Sequence, residues 1–151
     1  MSEQKNTPEN FESGEDLNLF FDNFIKSGEV IKEKEVAPGF VVKLRVLNTG
    51  ELLSAETVML SIENTPSDIV AKVRAASILS QAIISINGIN IEKSDMNPET
   101  IGARRLGLYR QLLKTPAIIV QKTYALYVDG AKDQVEHYDN FDETLEKIKN
   151  F

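Results

Sequence analysis

Apolar residues recur at two different periods along this chain, and the change of period divides it. Over residues 17–25 (LNLFFDNFI), Leu17, Phe20, Phe21, Phe24 and Ile25 fall at i, i+3, i+4, i+7 and i+8, which gathers them on one face of a helix. Ser27-Gly28 closes the pattern, so a short amphipathic helix is predicted over 17–26. From Phe40 the period becomes two. In FVVKLRVL, Phe40, Val42, Leu44 and Val46 share one face and Lys43 and Arg45 the other, which predicts a strand at the start of a globular part. The charged stretch between them, residues 28–39, ends in Ala37-Pro38-Gly39 and reads as a linker.

The sequence NTGE breaks the strand. The apolar residues of ELLSAETVMLSI, which follows, fit neither period cleanly, and a second strand and a helix capped at Thr49 both remain open, with the helix preferred. Thr65-Pro66-Ser67-Asp68 is a helix start: a threonine cap, a proline whose missing N–H costs nothing in the first turn, and an acid at the third position. The helix is expected to run through Ile69, Val73, Ala76, Leu79, Ala82 and Ile83 to Ile86, as the central core helix. Asn87-Gly88 then serves as a left-handed cap or as the tip of a small hairpin between Ile86 and Ile89.

Asn97-Pro98 opens a further helix carrying Ile101, Leu108, Tyr109 and Leu112 on one face and Arg104, Arg105, Arg110 and Gln111 largely elsewhere. Thr115-Pro116 should stop it and cap the next, whose buried stripe is Ala117, Val120, Tyr124, Tyr127 and Val128. Asp129-Gly130 ends that helix or only weakens it, since one internal Gly costs about 1 kcal/mol relative to Ala. A short capped segment from Asp142, anchored by Leu145 and Ile148, closes the chain. The fold class is therefore mainly α, a small helical domain with a short β-strand or hairpin near its start and a flexible acidic N-terminal segment. Residues 1–39 are expected as a disordered acidic leash bearing the 17–26 helix, and 40–151 as one mostly helical domain.

Composition narrows the chemistry. The chain of 151 residues is 42% hydrophobic and 26% charged, in the range of one globular domain. It has no Cys and a single His, His137, which removes disulfides, thiolate nucleophiles, sulfur-ligated zinc and multi-His metal clusters. Residues 1–16 are too polar to offset the entropy of ordering and carry no secretory apolar region, and no apolar run approaches the roughly 20 residues of a membrane span. A cytosolic site of synthesis and use, with no membrane partner, follows as the expectation. The net charge of −6 is uneven: −5 over residues 1–39, +3 over 40–128 and −4 over 129–151. The bases of the middle are interleaved with apolar positions rather than massed, which disfavours nucleic acid as a partner.

Candidate catalysts are scarce. No phosphate-binding Gly loop, nucleophile elbow or helical zinc pair is present. His137, between Glu136 and Tyr138, reads as a solvated histidine, and pairs such as Glu15-Asp16 and Asp142-Glu143 point apart on acidic surface segments. No enzyme activity, metal or cofactor is expected. Two features suit protein binding instead. The stripe Leu17, Phe20, Phe21, Phe24, Ile25 either covers its own domain or docks in a partner's groove. Arg104, Arg105 and Arg110 form the densest positive patch, either the wet face of a helix or a receiver for an acidic partner or for the N-terminal leash.

The order of parts, FVVKLRVL, NTGE, a helix running into SILSQAIISINGINI, then LLKTPAIIVQKTYALYV, resembles the tail-assembly chaperones and baseplate-hub assembly proteins of tailed bacteriophages. The resemblance spans about residues 40–128. It implies a small non-enzymatic protein of the infected host's cytoplasm that binds a phage tail or baseplate hub protein until assembly, without a cofactor. A baseplate or tail subunit retained in the virion is the alternative, and homo-oligomerisation is left open.

Overall fold

The computed structural model describes residues 14–57 and 67–140. They form α1 (Gly14–Ser27), β1 (Ile31–Ala37), β2 (Phe40–Arg45), α2 (Thr49–Thr57), α3 (Ser67–Ala82), β3 (Ile83–Ile86), β4 (Ile89–Asn90), α4 (Pro98–Lys114) and α5 (Ala117–Asp139). The chain is mainly helical with a small antiparallel sheet near its start. It divides into two compact units, one running from Ile31 to Ala131 and the other containing described residues 14–30 and 132–140. The expected boundary after residue 39 is corrected on both sides: the larger unit begins at Ile31, and the end of α5 belongs with α1.

The linker reading of residues 28–39 fails because charge hid a strand. β1 (IKEKEVA) pairs antiparallel with β2 from Ile31↔Arg45 to Ala37↔Phe40, with a register shift between Glu35 and Ala37. It is an edge strand on which only Val36 is buried, so charged side chains cost little there and guard an open edge. Gly39 turns the chain with φ +76°, and the Glu35 carboxylate accepts its N–H at 3.0 Å. β2 is the strand its alternation predicts, with Val42 and Leu44 fully buried.

The ambiguous stretch after NTGE is helical through Thr57, and its residues 58–62 lie outside those described. The cap is Asn48 rather than Thr49. Asn48 Oδ1 accepts the Glu51 N–H at 2.9 Å while the Glu51 carboxylate accepts the Asn48 N–H at 3.0 Å, a reciprocal capping box. The Thr65-Pro66 start also lies outside the described residues. α3 packs on α2, α4 and β2, burying Ala76, Leu79 and Ala82. It does not reach Ile86 as expected. It ends at Ala82, and the isoleucine-rich segment Ile83–Ile86 pairs with β2 across a second register shift, because β2 offers it a ladder and the helix does not. Asn87 (φ +52°) and Gly88 (φ +78°) supply the two positive φ values of a tight hairpin to β4, so the hairpin alternative holds. The sheet order is β1-β2-β3-β4.

Asn97 caps α4, its Oδ1 accepting the Thr100 N–H at 2.8 Å with Pro98 in the first turn. Thr115 does not cap α5 as predicted; its Oγ1 donates back to Gln111 O at 2.8 Å, closing α4. α5 continues unbroken through Asp129-Gly130 to Asp139. Its buried residues are Thr123, Leu126, Tyr127 and Gly130, whereas Val120, Tyr124 and Val128 are half-buried and Ala117 is exposed, so the expected stripe is rotated toward Thr123 and Leu126. The core of the larger unit gathers Val42, Leu44, Leu79, Ile83, Leu112 and Leu126.

In the smaller unit α1 starts at Gly14, earlier than the predicted 17–26 helix, with Glu15 and Asp16 in a first turn whose exposed amides favour acids. Residues 14–16 therefore leave the leash expected over 1–16. Residues 1–13 and the predicted segment from Asp142 lie outside the described residues.

Candidate functional site

The predicted apolar stripe of α1 splits into two rows. Phe24 stacks on Tyr138 near the end of α5 at 4.8 Å between ring centres, and Phe20 stacks on Phe24 at 5.7 Å. The Tyr138 hydroxyl donates to Phe24 O at 2.8 Å, the Ser27 hydroxyl donates to the same carbonyl at 2.7 Å, and Gln134 Nε2 donates to Gly28 O at 3.0 Å. These bonds satisfy carbonyls that the end of α1 leaves without helical partners. His137 Nε2 lies 3.1 Å from Ser27 Oγ, and the residue is half-buried, so the solvated reading of this histidine is corrected. Burial pushes the Tyr138 hydroxyl above the ordinary tyrosine pKa.

Leu17, Phe21 and Ile25 form the other row, at i, i+4 and i+8, and stay 41%, 51% and 60% exposed. By helical spacing exposed Asp22 flanks the row beside Ile25, three residues on, with Lys26 one turn beyond it, while Glu15 lies round the helix from Leu17. Three large apolar side chains on successive turns thus face outward while their neighbours fix the helix.

The arginine patch separates in the same way. Arg105 is only 6% exposed: its guanidinium donates to Ser80 O at 3.2 Å and to Ile83 O, where α3 gives way to β3, and pairs with Glu92 at 3.2 Å. Carbonyls at a helix end lack intrahelical partners, and Arg105 caps them from α4. Burial pushes its pKa down and Glu92 opposes this. Its placement on a wet helix face is therefore corrected. Half-buried Arg104 donates to Asn90 O at 3.1 Å, and Arg110 is exposed, so the three do not form one patch.

A nearby cation is equally committed. Arg45 on β2 pairs with the Glu51 carboxylate through both guanidinium nitrogens, which holds that carboxyl below the usual Glu range. Tyr127 on α5 accepts the Leu47 N–H at 3.4 Å, and burial pushes its hydroxyl pKa up.

The sequence held no motif for a third feature. Within the larger unit, α3, the end of α4 and the start of α5 wall an apolar cleft of about 510 Å³. Ala71, Ala75 and Ala76 face Leu112, Val120 and Tyr124 across it, and Lys72 is the one charged residue among those lining it. Alanine-rich stretches on the walls were the available signal, but they read equally as helix packing.

Among the described residues no His, Cys, Asp and Glu cluster could hold a metal ion, and no helix is long and apolar enough to cross a membrane. Comparison with protein-family models, curated proteins and solved structures finds no match to this chain.

Proposed function

We propose that the protein is a non-catalytic assembly chaperone that holds a tailed-phage tail or baseplate hub component in the host cytoplasm, with no cofactor, through the exposed row of α1. The observation that carries the binding role is the outward row Leu17, Phe21 and Ile25 on a helix anchored from behind by the Phe24–Tyr138 stack. Apolar side chains clustered on a surface in this way mark contact sites, and three anchors at i, i+4 and i+8 suit a helix laid in a partner's groove. Anchoring reduces the ordering entropy lost on binding. The choice of client rests on the resemblance of residues 40–128 to phage tail and hub assembly proteins.

Co-expression with tail or hub components, together with mass spectrometry of purified virions, tests this reading. A component that stays soluble with the wild-type chain and precipitates with Phe21→Ser plus Ile25→Ser supports it, provided the chain is absent from virions. Stoichiometric presence in virions replaces the holding role with that of a structural subunit, and solubility indifferent to the variant removes α1 as the contact.

A further inference from the structure

We propose that the cleft between α3, the end of α4 and the start of α5 receives α1 of a second copy of this chain. The one charged residue lining the cleft is a base, Lys72. Over residues 69–82 and 112–128, which carry the lining, the sequence contains four bases and no acid. One of these, Arg74, pairs with Glu56 at 3.9 Å. Lys72, on the cleft lining, and Lys114, next along α4 from the lining residue Leu113, are exposed and form no ion pair among the described residues.

The occupant that fits is an apolar row on an acidic helix. α1 presents Leu17, Phe21 and Ile25 on a helix that carries the acids Glu15, Asp16 and Asp22 against one base, Lys26. Alanines on α3 leave room for large side chains, and about 510 Å³ lies within the usual 300–1,000 Å³ of a pocket that accepts a ligand. The charges of the two chain regions, −5 over residues 1–39 and +3 over 40–128, are also opposite. Each copy offers one helix and one cleft, so copies join either reciprocally as a two-fold dimer or head to tail as a ring or chain. The client and a second copy would then compete for the same row of α1. The self-contact itself needs no client and is read on the purified protein.

The test is sedimentation velocity of the full chain over a wide concentration range, with Lys72→Glu and with Glu15→Lys plus Asp22→Lys. The wild type is expected to exceed one chain's mass as concentration rises. Each charge-reversed variant alone should associate roughly fivefold more weakly, as expected for about 1 kcal/mol of exposed ion pairing. An equimolar mixture of the two should recover association, because each helix then meets a cleft of opposite charge. Circular dichroism checks that both variants stay folded. A single-chain mass at every concentration overturns the proposal, as does association that neither variant weakens. Either result leaves the client reading of α1 standing.

Discussion

The Tyr138 ring lies so close over Gly28 that a Cβ built there would sit 2.1 Å from the tyrosine oxygen. The ring cannot move aside freely, because it is stacked on Phe24 and bonded to that residue's carbonyl. Gly28→Ala should therefore expel Tyr138 and loosen α1 from the end of α5, at a cost of about 1–3 kcal/mol, typical of overpacking. Hydrogen exchange measured over residues 17–27 should rise while exchange in β2 and β3 stays unchanged. Tyr138→Phe, which keeps the ring and loses one hydrogen bond, should cost about 1 kcal/mol.

Arg105→Ala should destabilise the larger unit by about 3 kcal/mol or more, since it strips the carbonyls of Ser80 and Ile83 of a buried partner. Arg110→Ala, on an exposed side chain of the same helix, should change stability by less than about 0.5 kcal/mol. Urea unfolding of the two variants, side by side, decides whether these neighbouring arginines have the separate roles assigned here.

Asn87 joins two turns: its side chain accepts the Val41 N–H at 2.8 Å and donates to Gly39 O at 2.9 Å, while its own φ is positive. Asn87→Gly keeps the backbone conformation and loses only the side-chain bonds, whereas Asn87→Ala loses both. Thermal melts should rank wild type above Asn87→Gly and Asn87→Gly above Asn87→Ala, with the last about 1–3 kcal/mol below wild type.

The acid limb of stability should depend on Glu51. Its hydrogen bonds from Arg45 hold the folded-state pKa below the unfolded value, so the stabilisation is present above the ordinary Glu pKa of about 4.3 and is lost as pH falls through the lower folded value. Glu51→Gln should be less stable than wild type at neutral pH, and its stability should fall less steeply below about pH 4. Parallel profiles for the two proteins would show that Glu51 contributes no such term.

Where a local rule had one solution, the residues were legible. Asn97-Pro98 specified a helix start, and the alternation of residues 40–45 specified β2. Elements whose identity depends on a distant partner were not. β1 carries four consecutive charged residues and becomes a strand only because β2 pairs with it. Ile83–Ile86 suits a buried helix as well as a strand until β2 claims it. At the candidate site, spacing placed five apolar residues on one helix face but could not divide them. That division depends on Tyr138, more than 100 residues away in sequence. Arg105 was hidden for a related reason, since the carbonyls it caps belong to a helix end that the sequence placed at Ile86.

The most direct test of the account is affinity capture of the tagged full chain from the cells that make it, comparing wild type with Phe21→Ser plus Ile25→Ser and with Arg110→Ala. Tail or hub proteins should be recovered by the wild type and by Arg110→Ala and lost from the α1 variant, with all three chains melting alike. Equal recovery by the α1 variant, or no tail or hub protein with the wild type, would rule out the outward row of α1 as the client contact.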